Sequence, residues 1–132
     1  MADLKEKIYA EFSSIDIIIS ELLIDRDLSD KTLIELAGRG ALLMNFYSGI
    51  ENILKLILVN KGIRLIQSSS WHKELLKNSI NENIIAADTA ASLAKFLAFR
   101  HFFVHSYGFS LDYRELSVLI ESIGASRRYS SC

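Results

Sequence analysis

The run Arg100-His101-Phe102-Phe103-Val104-His105-Ser106-Tyr107 places a permanent cation, two imidazoles and a phenol inside an otherwise apolar segment, residues 93–109. Burying such groups is costly unless each finds a partner, and arginine is seldom fully buried. Either a hydrogen-bond network or a ligand must hold them. Histidine changes charge nearest neutral pH, and arginine grips phosphate oxygens through a planar fork of donors. The combination points to phosphate chemistry.

Other chemistries fit the same residues less well. His101 and His105 stand at i and i+4, so a helix puts them on one face, a spacing that can serve zinc. The metalloprotease pattern has a glutamate directly after its first histidine, and here Phe102 takes that place with no third ligand evident. For His101 alone, packing at a helix interface is the commoner arrangement. Arg100 and His105 diverge by about 140° on a regular helix. They line one cleft only if the helix ends near His105 or if a second chain supplies the facing pair. Tyr107 returns almost to the azimuth of Arg100, and Gly108 permits a sharp exit. A purely structural reading instead pairs Arg100 with a carboxylate such as Glu51 and packs Tyr107 with its hydroxyl satisfied.

Nucleophilic and nucleotide-hydrolysing classes find no support. Cys132 is terminal, no Gly-x-Ser-x-Gly elbow occurs, and no glycine-rich phosphate loop is present. Asp25, Asp27, Asp30, Glu35 and Glu51 form no metal-type cluster and read mostly as solvated helix faces or caps. Trp71-His72-Lys73 has the side chains to stack a base, although a core tryptophan is the more ordinary outcome.

The elements that must position these groups are all helical. Leu4, Ile8, Phe12, Ile15, Ile18, Ile19 and Leu22 keep to a 3.6-residue period. Residues 25–29 break it, and Ser29 or Asp30 has the side chain to cap a second helix. That helix is long, predicted over about 32–60 and ending at Lys61-Gly62. Ser70 suits the cap of a short helix over 71–79, with a loop by composition over 78–83. A fourth helix is predicted over about 86–105, and Asp112 caps a fifth over about 113–123. The whole reads as a small up-and-down helical bundle, one domain over 1–123 and then a polar, basic tail over 124–132 that composition predicts to be disordered.

Composition bounds the rest. The chain has 132 residues, half of them hydrophobic and 23% charged, ordinary values for a folded soluble domain. Proline is absent and glycine scarce, which favours uninterrupted helices. A single cysteine excludes an intrachain disulfide and fits a reducing cytoplasm. The first ten residues lack the apolar core of a signal peptide, and no stretch of about 18 uncharged apolar residues suggests a membrane span. The net charge of −1 is not the global signature of a nucleic-acid binder, so any RNA contact needs a local cationic patch or two chains combined.

Arg100, four residues, His105, one residue and Tyr107 resemble the Arg-x4-His-x-Tyr motif of HEPN-domain ribonucleases, in particular the HepT-type toxins of bacterial toxin–antitoxin pairs. Met44-Asn45-Phe46-Tyr47-Ser48-Gly49-Ile50-Glu51 resembles that family's Phe-Tyr-x-Gly-x-Glu segment, and Trp71-His72-Lys73-Glu74-Leu75-Leu76 its Trp-His-x-x-Leu-Leu helix. The three segments stand in the right order over roughly residues 30–120. The last helix departs from the pattern, with about three turns before Gly124 where family members usually have more.

The resemblance implies metal-independent, cofactor-free cleavage of RNA, either tRNA or mRNA, in a homodimer cleft. There Arg100 and His105 would be catalytic and His101 and Glu51 supporting, leaving a 2′,3′-cyclic phosphate. It further implies a nucleotidyltransferase antitoxin of the MntA type that silences the toxin by attaching AMP to Tyr107. The competing class is a non-catalytic helical module that binds nucleotides or dimerises.

Overall fold

The computed structural model describes residues 3–65, 68–106 and 111–130. Five helices succeed one another: α1 (Leu4–Leu22), α2 (Leu33–Asn60), α3 (Trp71–Asn81), α4 (Ala87–Ser106) and α5 (Tyr113–Ser130), with no strand among the described residues. The fold is the expected all-α bundle.

Local chemistry sets the boundaries. Asp3 accepts from the Glu6 amide at 2.8 Å and starts α1. The α1–α2 connection then turns through Asp25, which sits at a φ of 50°. Asp27 accepts from the amide and hydroxyl of Ser29, and Asp25 pairs with Lys31. Ser29 is thus held by Asp27, and Asp30 lies 3.5 Å from Lys31, so neither of the expected side chains caps α2. Its N-cap is therefore Thr32, whose hydroxyl accepts from the Glu35 amide at 3.2 Å and faces the Glu35 carboxylate at 3.1 Å. At the far end Gly62, at a φ of 81°, donates to the Val59 carbonyl, and Ile63 donates to the Leu58 carbonyl, both at 3.0 Å. That two-bond pattern closes the helix as the Lys61-Gly62 pair predicts.

Two boundaries differ from expectation. α3 continues to Asn81, and Ser70 stands at its N-cap without a side-chain bond. Asn83, at a φ of 58°, makes the same helix-ending turn as Gly62, with Ile84 donating to Ser79 at 2.9 Å. The asparagines that look like a loop therefore include the helix terminator itself. α5 runs through Gly124 to Ser130 rather than ending at Ile123. Gly124 lies inside it, where the absent side chain leaves room for its neighbours: a Cβ there would meet Leu23 Cδ2 and Arg26 Nη2 at 3.3 Å. Arg26 in turn donates to Glu121 at 3.2 Å.

α2 is the axis of the bundle, touching each of the other four helices. By length and composition it is also apolar enough to cross a membrane; its middle packs against the other helices, while Leu33, Ile34 and Val59 near its ends are exposed. Leu43, Phe46, Tyr47, Leu54 and Leu58 join Leu22, Leu75, Phe96, Leu116 and Ile120 in one core. α1 runs antiparallel to α2, with Glu11 against Asn52 and Arg39 reaching back to the Leu22 and Ile24 carbonyls. α4 also runs antiparallel to α2. Phe96 meets Phe46 at a ring separation of 5.3 Å, and Phe103 lies over Gly40.

Candidate functional site

Three phenylalanines decide how α4 is turned about its own axis. Phe96 and Phe99 are buried, and Phe103 packs partly buried beside Phe99 at 5.7 Å. Gly40 makes room for the Phe103 ring, since a Cβ at that position would stand 2.6 Å from it. With this face turned inward, Arg100 falls on its flank and is half-buried toward α2, while His101, Val104 and His105 are exposed. Helix geometry holds to Ser106, so Arg100 and His105 of one chain point about 140° apart. One protomer does not bring them together.

What surrounds Arg100 is a buried polar cluster. Tyr47 is fully buried, and its hydroxyl has no hydrogen-bond partner among the described residues. Burial pushes that hydroxyl well above the ordinary phenol range. The nearby Glu51 carboxylate adds to the shift, and the Arg100 guanidinium opposes it. Glu51, one turn further along α2, is 3% exposed. It is therefore not the solvated carboxylate that the sequence suggests. Nor is Arg100 its partner: His72 Nδ1 donates to Glu51 at 2.6 Å across the α2–α3 contact. Trp71 stacks on His72 with ring centres 3.6 Å apart, and Lys55 covers Trp71 with its ammonium 3.9 Å from the ring centre. Trp71 is thus partly buried and engaged by its own chain.

The His101 and His105 rings meet on the outside of α4, tilted by 53° with their centres 4.4 Å apart. His101 is exposed rather than packed at a helix interface within the chain. Among the described residues, no group of three or more His, Cys, Asp or Glu could hold a metal ion. Tyr107 lies outside the described residues.

Tyr47 and His72 are legible in the sequence as members of the Phe-Tyr-x-Gly-x-Glu and Trp-His-x-x-Leu-Leu segments, but not as partners of Glu51 and Arg100. The i, i+4 spacing of Tyr47 and Glu51 also places both on one side of α2. Two clefts border these helices, the second reaching Phe102 between Arg100 and His105. One of about 570 Å³ is lined by Lys55, Ser68, Trp71 and Glu74. The other, of about 640 Å³, lies between α4 and α5 and includes Lys95, Phe102, Asp112 and Glu115.

An all-α bundle that carries this arginine and histidine on the closing turns of its fourth helix is a HEPN-like protein. Residues 39–128 match the family model described as HepT-like protein, and the chain belongs to that family, a HEPN-type ribonuclease family. No curated protein and no solved structure matches the chain.

Proposed function

We propose that the protein is a metal-independent endoribonuclease toxin whose active site forms where two copies of α4 meet. The observation that carries this reading is a stripe of exposed residues along α4: Ala91, Ala94, Ala98, His101 and His105. Their spacing of three, four, three and four residues makes one seam down the helix. Its small side chains allow two helices to approach closely, and a two-fold axis beside it repeats the histidines on the facing chain. Two copies also double the cationic charge at the cleft, so a chain of net charge −1 has a local field for RNA.

In this site His105 of one chain takes the proton of an RNA 2′-hydroxyl as its oxygen attacks the adjacent phosphorus. The bond from phosphorus to the 5′-oxygen breaks, and His105 of the second chain supplies the proton that the leaving oxygen needs. The products are a 2′,3′-cyclic phosphate and a free 5′-hydroxyl. Arg100 neutralises charge that builds on the phosphate oxygens, and the Tyr47–Glu51–His72 cluster supports it from behind. The substrate is tRNA or mRNA. The partner is a nucleotidyltransferase antitoxin of the MntA type that attaches AMP to Tyr107. The added phosphate would compete with RNA for Arg100.

The test is an RNA digest with end analysis. Purified protein should yield cyclic-phosphate ends in excess EDTA, and His105→Ala should yield none while its oligomeric state is unchanged. RNA left intact by the unsubstituted protein would favour the non-catalytic module instead. For the partner, intact mass after co-expression should rise by whole AMP units, and Tyr107→Phe should remove the increment.

A further inference from the structure

His101 and His105 form a feature that the nuclease reading uses only in part. Both are exposed, they sit one helical turn apart, and their rings lie 4.4 Å from each other. An imidazole binds zinc through one ring nitrogen at about 2.0–2.1 Å, and two histidines at i and i+4 can share one ion. Neither ring is hydrogen-bonded to a carboxylate among the described residues, whereas His72 is committed to Glu51. The two remaining positions of a tetrahedral ion are open to water or to the same pair on a second copy.

We propose that His101 and His105 constitute an inhibitory site for zinc, or for another divalent transition cation that prefers imidazole. The consequence for catalysis rests on the proposed nuclease activity. A neutral imidazole has one acceptor nitrogen. When zinc occupies it, His105 has no lone pair left to receive the 2′-hydroxyl proton, so cleavage stops until the metal is removed. His101 is the residue that converts a proton-transfer histidine into a metal-sensitive one.

Zinc chloride titrated into metal-stripped full-length protein should show saturable uptake by calorimetry, one ion per chain or per pair of chains. Because His101 is exposed, His101→Ala should fold normally and weaken that uptake at least about tenfold, the scale on which even outer partners of metal ligands act. No uptake, or uptake that His101→Ala leaves unchanged, overturns the site whatever the RNA assay gives. In the cleavage assay zinc should suppress the unsubstituted protein and EDTA should restore it, while the metal-free rate of His101→Ala, whatever its size, should not fall on adding the same zinc. Uptake without suppression in a protein that does cleave RNA overturns the inhibitory role. Uptake by a protein that cleaves nothing sinks the nuclease reading and leaves the metal site standing.

Discussion

Glu51, His72 and Tyr47 carry opposite energetic consequences at the scale of single residues. The Glu51 carboxylate is nearly inaccessible to water and depends on His72 at 2.6 Å. His72→Ala leaves that charge buried without its partner, which should cost about 3 kcal/mol, read as a lowered denaturant midpoint. Tyr47→Phe removes a buried hydroxyl that has no partner among the described residues, so it should be neutral or stabilising by about 1 kcal/mol. A large loss in Tyr47→Phe would mean that the hydroxyl donates to the Glu51 carboxylate one turn away, the group whose charge adds to burial in raising its pKa. Arg100 and Tyr107 belong to a motif visible in the chain, yet the neighbours that hold Arg100 are not adjacent to it in sequence.

Gly38 and Gly40 on α2 separate helix propensity from packing at the scale of elements. A Cβ at Gly38 meets nothing within 4 Å, whereas one at Gly40 meets the Phe103 ring at 2.6 Å. Gly38→Ala should raise stability by up to about 1 kcal/mol through propensity alone. Gly40→Ala gains the same propensity but must displace Phe103, and overpacking of this kind costs about 1–3 kcal/mol. Thermal melts of the two variants should move in opposite directions. Equal upward shifts would show that α4 yields freely at its C-terminal end. Because Phe103 stands between Arg100 and His105, the same displacement in Gly40→Ala should also lower RNA cleavage. Cap chemistry explains where the sequence misleads about these elements: Thr32 caps α2 because Ser29 is bonded to Asp27 and Asp30 faces Lys31 in the preceding turn.

The proposal for the whole molecule is that one chain holds half of a site. Arg100 leans toward the bundle interior and His105 faces outward, and the exposed stripe of Ala91, Ala94, Ala98, His101 and His105 runs between one end of α4 and the other. Ala94→Glu puts a like-charged pair into a two-fold seam while leaving the core of its own chain untouched. It should convert the protein to a monomer by light scattering, keep its helical circular dichroism, and abolish cleavage. A variant that remains dimeric and active would place the seam elsewhere on the surface. The exposed apolar side chains Tyr9, Phe12 and Ile17 on α1 are the next surface to test in that event.

The chain by itself determined the helical class, most helix boundaries and the Arg100–His105–Tyr107 motif, because periodicity, caps and motif spacing are local properties. It also placed Glu51 beside the motif segments without saying what it touches. Tertiary structure alone decided that Glu51 takes His72, 21 residues away, that Tyr47 is sealed from water, and that Gly124 is a contact point inside α5. It also decided which side of α4 faces the core. Rotation about a helix axis costs nothing until side chains pack, and only the fit of Phe96, Phe99 and Phe103 against α2 turns Arg100 inward and His105 out.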